Sequence, residues 1–413
     1  MPQVFSAGWL YLFIIVMLIS LVRIYFKIKT IQREAPMDRP VIKVAPIPRT
    51  EPDPDGGSGE ESLLAGPDDL IRQGNYDRAL GSLEQLLKDL SPTEDREARG
   101  KILFRIGACH SRLATGGEAF QHLLRAGEAL REAVRLFAPV RFLNHYLRAL
   151  GELAALYEDL AREKNPVEHL TQSARTCETG AISAGQGGLF GPEAIFLARS
   201  GNAFRQLASH REPQVNLRKA ADAYEKAAAI LESVDSENAA SERIKILKLV
   251  GDTHVDLAEF FQKTESLARA VSAYKEALQL MDEKLYLRER CVVQTDAGRA
   301  LIKLYDNEKD PVHLRQAMGL TRDAIQAAKG EDYQTQKGMT MAVMGDALSR
   351  YSEVKDRRDN LARAVRLYEA SLEILKDGEE SEERERVKRR LAETLGEVTG
   401  VGEGANGGGE GKT

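Results

Sequence analysis

Residues 217–230 read LRKAADAYEKAAAI, residues 267–280 read LARAVSAYKEALQL and residues 361–374 read LARAVRLYEASLEI. In each, a leucine is followed by alanine three positions on, tyrosine after seven and a small residue after ten. Positions 0, 3, 7 and 10 share one face of an α-helix, so each stretch predicts a helix with a narrow buried stripe. The same start recurs at Tyr76, Leu123, Leu170 and Leu314, so that the pattern advances by 47 residues in five of its six steps and by 50 between Leu217 and Leu267. A register held over some three hundred residues predicts stacked repeats, each burying itself against its neighbours.

Sixteen positions before each restart lies another small residue: Gly107, Ala154, Gly201, Gly251, Gly298 and Gly345, with Ala392 in the matching place of the last unit. Glycine inside a helix costs roughly 1 kcal/mol relative to alanine, so its return in one slot predicts a second helix family approached closely by a neighbour. Prolines at Asn165-Pro166, Glu212-Pro213 and Asp310-Pro311 fit first helical positions, where the missing N–H is no loss.

These residues resemble the tetratricopeptide repeat family. Ala220, Tyr224 and Ala227, and likewise Ala270, Tyr274 and Ala277, match its Ala-x-x-x-aromatic-x-x-Ala helix, in an extended variant of about 47 residues. The third unit departs most, with Ser173, Cys177 and Gly180 in the small, large and small places. The resemblance implies an all-α, right-handed superhelical solenoid of about seven antiparallel helix pairs. It also implies a surface that binds other proteins or peptides, without catalysis or cofactor. Peptide contacts in the family come from the first helix of each pair, beside the small slot. Carried onto this chain, that groove comprises Asn202, Arg205, Lys248, Asp252, Arg299, Lys303, Asp346 and Arg350, a mildly cationic set suited to an acidic segment.

Residues 4–22, VFSAGWLYLFIIVMLISLV, carry no charge and are long enough to cross a bilayer as a helix. Arg23, Lys27, Lys29 and Arg33 follow at once, and cationic flanks stay cytoplasmic. The expected organisation is a membrane anchor over residues 1–33, a Pro/Gly-rich tether over 34–62, the repeats over 63–399 and a Gly-rich tail over 400–413. The amino terminus then faces outward, with the repeats on the cytosolic side of a cell membrane. An exported version of the same scaffold, or one that senses a small ligand, are the competing readings.

Composition narrows the rest. The chain has 413 residues and a formal net charge of −5, which gives no electrostatic footprint for nucleic acid. Three cysteines, Cys109, Cys177 and Cys291, are too few and too scattered for a disulfide framework or a CxxC metal knuckle. Among the histidines, His122, His169 and His313 precede a restart, where other units place asparagine or serine, so a hydrogen bond at the first helical turn explains the slot and a metal does not. His145, His210 and His254 have no carboxylate or cysteine at ligand spacing. The sequence predicts no catalytic residue, no metal site and no cofactor, and leaves the oligomeric state open. The terminal Gly411-Lys412-Thr413 lacks the helix a phosphate loop needs.

Overall fold

The computed structural model describes residues 60–406, apart from 92, 94, 283–284, 329–332 and 376–380. The expected anchor and most of the tether lie outside the described residues, as do the last residues of the tail. Among the described residues there is no strand, and no helix is long and apolar enough to cross a membrane.

Among the described residues, seven helix pairs follow one another. We call the first helix of each pair A and the second B. They are α1 (Glu60–Arg72) with α2 (Tyr76–Asp89), α3 (Arg96–Leu113) with α4 (Ala119–Leu136), and α5 (Leu143–Glu163) with α6 (Pro166–Gln186). Next come α7 (Phe190–Ala208) with α8 (Pro213–Glu232), and α9 (Glu237–Leu257) with α10 (Lys263–Leu280). Then α11 (Leu287–Glu308) pairs with α12 (Pro311–Ala327), and α13 (Gln334–Tyr351) with α14 (Arg357–Ile374). A closing helix, α15 (Ser381–Asn406), occupies an A position, and no B partner follows it among the described residues. Each helix packs on the next in chain order, and most A helices also touch the A helix of the following unit.

The two recurring patterns meet in the core. The restart leucines from Leu123 to Leu361 are all buried, as are Tyr224, Tyr274 and Tyr368 seven positions into their B helices. Each of these rings lies across the glycine of its own A helix. A Cβ built on Gly201, Gly251 or Gly345 would come within 2.7, 2.4 or 2.8 Å of the ring carbon Cε1 of Tyr224, Tyr274 or Tyr368. Real Cβ contacts are not that short, so the tyrosine decides that the slot is glycine. In the third unit the logic is displaced along the helix, because Gly180 makes room for Phe196 of the next A helix, whose ring would lie 2.5 Å from an added Cβ. The pattern breaks at Ser173, Cys177 and Gly180, yet all three are buried.

The A-to-B turns show a regularity the sequence pattern does not announce. Asn165, Glu212, Gln262, Lys309 and Asp356 all have positive φ, between 41° and 58°. Every one stands five residues before a restart. None is glycine, so the side chain bears the steric cost of the left-handed region, on the order of 1 kcal/mol. The next turn of chain is then pinned by side chains one residue before the restart. Asn216 donates to the Arg211 carbonyl at 2.5 Å, Asn360 to Lys355 at 2.7 Å and Ser266 to Phe261 at 3.1 Å. His313 reaches the Glu308 carboxylate over the same five-residue span at 2.6 Å. Prolines 166, 213 and 311 open their helices as expected.

Candidate functional site

The eight groove residues fall on A helices α7, α9, α11 and α13, where their bonds divide them into two groups. Asn202, Asp252 and Asp346 immediately follow the slot glycine and are only 9%, 3% and 7% exposed. They accept the tyrosine hydroxyls of their own B helices: Tyr224 donates to Asn202 Oδ1 at 2.6 Å, Tyr274 to Asp252 Oδ1 and Tyr368 to Asp346 Oδ1 both at 2.8 Å. A hydroxyl buried at the bottom of a helix pair needs a partner, and the residue after the slot is placed to provide it.

The five cations, Arg205, Lys248, Arg299, Lys303 and Arg350, reach from one A helix to another. Arg205 on α7 binds Asp256 on α9 at 3.0 Å, and Lys248 on α9 lies 3.2 Å from Asp296 on α11. Lys303 on α11 reaches back to Glu259 in the turn after α9 at 2.6 Å, and Arg350 on α13 grips Asp306 on α11 with two nitrogens at 2.7 and 3.0 Å. Arg299 on α11 extends to Glu383 on α15 at 2.8 Å. The result is a ladder of ion pairs across successive A helices from α7 to α15.

At its carboxyl end the ladder becomes a network. Asp346 receives Arg386 at 2.6 Å and Arg390 at 3.1 Å, both from α15, in addition to Tyr368. Burial pushes the Asp346 carboxyl up, but the two arginines and the tyrosine bond outweigh it and hold the group below the usual carboxylate range. Lys248 shows the mirror case. Burial pulls it down, and Asp252 and Asp296 more than compensate, so its pKa lies above that of an ordinary lysine. Rungs nearer solvent each stabilise by about 0–1 kcal/mol; the α15 network, with Asp346 and Glu383 almost fully covered, loses more if one partner is removed.

Cations expected to be available to an acidic segment are thus each engaged with carboxylates of the same chain. The sequence reading identified the cations and missed Asp256, Asp296, Glu259, Asp306 and Glu383. A signal was present: three of these bonds join opposite charges 44 or 51 residues apart, close to one repeat.

Histidines behave differently from expectation in two places. His254 does have a carboxylate, Glu225 of the preceding B helix, with Nε2 at 2.7 Å from Oε1. Its partner is 29 residues away, beyond the reach of local spacing. His110 and His122 meet through their Nδ1 atoms at 3.1 Å. No group of three or more histidine, cysteine or acidic side chains placed to hold a metal occurs among the described residues. All three cysteines are free and buried; burial pushes the Cys177 thiol up to about 12 and Cys109 to about 11. A thiol so shifted is not a nucleophile at neutral pH.

A cleft of about 220 Å³ opens between the B helices α6 and α8, floored by Phe204 and Leu207 of α7. It shares Thr171 and Arg211 with a shallower trough at the start of α6.

No protein-family model matches the chain, and no curated protein is similar to it. Solved helical-repeat structures are similar at low identity. The C-terminal part of a TPR repeat-containing protein from Cytophaga hutchinsonii is 12% identical over 79% of this chain and 99% of its own, with a TM-score of 0.47. The apo form of RapI is 13% identical over 77% and 99%, with a TM-score of 0.36. The TPR2AB domain of yeast Sti1, solved in a pHSP90 complex, is 15% identical over 72% and 98%, with a TM-score of 0.24. At such scores the likeness carries no argument. The TPR-like character of the array rests on its own helix pairs and on the small slot facing the B-helix side chain.

Proposed function

We propose that this chain is a protein-interaction scaffold, held at a membrane by residues 4–22, that gathers partner proteins along its repeats on the cytosolic side. The observation that carries this reading is the run of charged side chains across successive A helices, a surface several units long and made of repeats rather than of one enclosed site. An extended partner segment would lie along it and exchange its own charges with the ladder, so that binding is graded by charge pattern and weakened by salt. The anchor would fix location, and the tether of residues 34–62 would give reach, at about 3.3 Å per extended residue. Its role in assembling or regulating a cell-envelope complex belongs to the same proposal.

The test keeps the fold while reversing the surface. Lys303→Glu with Glu259→Lys, and Arg350→Asp with Asp306→Arg, preserve each rung and invert its polarity. Affinity capture from membranes with the full chain is expected to lose partners in the swapped forms. An identical set of captured partners would refute the A-helix surface as the binding face. A reporter fused after Thr413 checks the topology, since activity only in a compartment outside the cytosol would overturn it.

A further inference from the structure

We propose that the cleft between α6 and α8 is a second docking site, on the B-helix face, for a linear peptide carrying one large apolar side chain flanked by acidic residues. The inference rests on the scaffold reading and not on the A-helix ladder.

Comparison between units locates the opening. Three residues past the slot, α7 and α9 present Phe204 and His254 to the gap between neighbouring B helices. In the fifth unit the floor is His254, which binds Glu225 of α8 at 2.7 Å, while Arg269 of α10 stands 3.7 Å from the same carboxylate. That gap is closed by the chain itself. In the sixth unit Lys275 of α10 reaches Gln316 of α12 across the gap at 3.3 Å. In the fourth unit the floor is Phe204, a side chain that cannot hydrogen-bond, and the flanking residues in the same register are Glu178 and Lys219. These two are not bonded to each other. Lys219 instead places its ammonium 5.1 Å from the centre of the Phe204 ring. The gap therefore stays open in this unit, with apolar Phe204 and Leu207 at its base.

Charge supplies the second element. Among the described residues, the Arg175 and Glu178 side chains have no hydrogen-bond or ion-pair partner, and the Lys219 ammonium has only the ring. The exposed cations at the cleft thus outnumber the free carboxylate, in contrast to the neutralised ladder on the A helices. A peptide side chain of phenylalanine size, laid against Phe204 and Leu207, would leave its backbone at the rim between Arg175 on one wall and Lys219 on the other. Carboxylates on either side of the apolar residue would reach both. A cationic flank would meet Arg175 and Lys219 and be repelled, and a polar residue in the centre would leave the apolar floor uncovered.

The experiment is fluorescence anisotropy with the full chain in detergent micelles and a fluorescein-labelled Asp-Glu-Phe-Glu-Asp peptide. Two variants follow, Arg175→Glu with Lys219→Glu on exposed cleft positions and Lys303→Glu on the A-helix face, each checked for native circular dichroism. Saturable binding is expected for the unaltered chain, about ten-fold or more weaker in the double cleft variant and for the Asp-Glu-Ser-Glu-Asp control, and unchanged in Lys303→Glu. Absence of saturable binding below about 1 mM, equal binding by the double variant, or equal affinity for the serine peptide each overturns the proposal. Loss of this peptide site with A-helix capture intact would leave the scaffold reading standing, and the reverse outcome would leave the cleft standing without the ladder.

Discussion

Tyr224 donates its hydroxyl to Asn202 Oδ1 across 22 residues of chain, and the next residue inward from the acceptor is the glycine over which the ring lies. Ring, acceptor and glycine form one unit, repeated with aspartate at Tyr274–Asp252 and Tyr368–Asp346. Where the large B-helix residue is Leu130 or Cys177, the position after the slot is Ala108 or Ala155, and no acceptor is required. The first prediction follows from the difference among the three tyrosines. Asp252 keeps Lys248 and Asp346 keeps Arg386 if the hydroxyl is lost. Asn202 has no such substitute among the described residues. Tyr224→Phe is expected to cost about 1–3 kcal/mol, more than Tyr368→Phe, in urea unfolding. Equal and negligible losses would show that the hydroxyl bonds do not contribute.

A pair of glycine substitutions separates close approach from helix propensity. Alanine is favoured over glycine in a helix by about 1 kcal/mol. At Gly319 an added Cβ meets nothing within 4 Å, so Gly319→Ala is expected to raise stability by up to about that amount. At Gly251 it meets the buried Tyr274 ring at 2.4 Å. Gly251→Ala is therefore expected to destabilise by about 1–3 kcal/mol. Thermal melts in which both variants move the same way would contradict the assignment of the slot.

The tyrosine–glycine relation explains why the architecture is legible in the sequence. Core positions are filled once per repeat by residues of one size class, so the register of Leu217, Ala220 and Tyr224 is visible as periodicity. The A-helix ladder was only half visible. Its cations vary in identity and its carboxylates arise one repeat away, so no single-unit pattern links Arg205 to Asp256. The left-handed turn residues were invisible for another reason. Asparagine, glutamate, glutamine, lysine and aspartate share no chemistry at that position, which the chain sets by where the helices must end. The open cleft was hidden as well, since Phe204 looks like any core aromatic until the next two gaps are seen to be bridged, by His254 with Glu225 and by Lys275 with Gln316.

Those turns carry a prediction of their own. Gln262 is exposed, its side chain makes no hydrogen bond among the described residues, and its φ is 41°. Glycine adopts that conformation without steric cost, although it adds entropy to the unfolded chain. Gln262→Gly is expected to stabilise by up to about 1 kcal/mol, whereas Gln262→Val, β-branched, is expected to destabilise. If glycine lowers the melting temperature and valine raises it, the left-handed turn is wrong.

Burial of the thiols predicts their reactivity. With Cys177 pushed up to about 12 and Cys109 to about 11, thiolate is scarce at pH 8, and the side chains are shielded. A disulfide-exchange reagent such as 5,5′-dithiobis(2-nitrobenzoate) is expected to label none of the three cysteines in the folded chain over minutes and all three in denaturant. Rapid native labelling of one cysteine would identify a thiol that the fold exposes.

The contact between His110 and His122 gives the array a dependence on acid. With Nδ1 atoms 3.1 Å apart, one ring must donate and the other accept, which holds only while at least one is neutral. Burial lowers the His110 pKa first, His122 and Arg125 of α4 lower it further, and Glu84 and Asp77 of α2 oppose them in part. A histidine whose folded pKa lies below its unfolded value binds fewer protons when folded. Its contribution to stability is therefore complete above the unfolded pKa of about 6.5, declines as pH falls below that value, and levels off beneath the folded pKa. His122→Asn removes the neighbouring ring and its charge while retaining a hydrogen-bonding side chain at the start of α4. The stability of the unaltered chain relative to this variant is expected to drop between pH 7 and pH 5, read as the difference in urea midpoints. A difference that stays constant across that interval would mean that the His122 ring does not lower the His110 pKa.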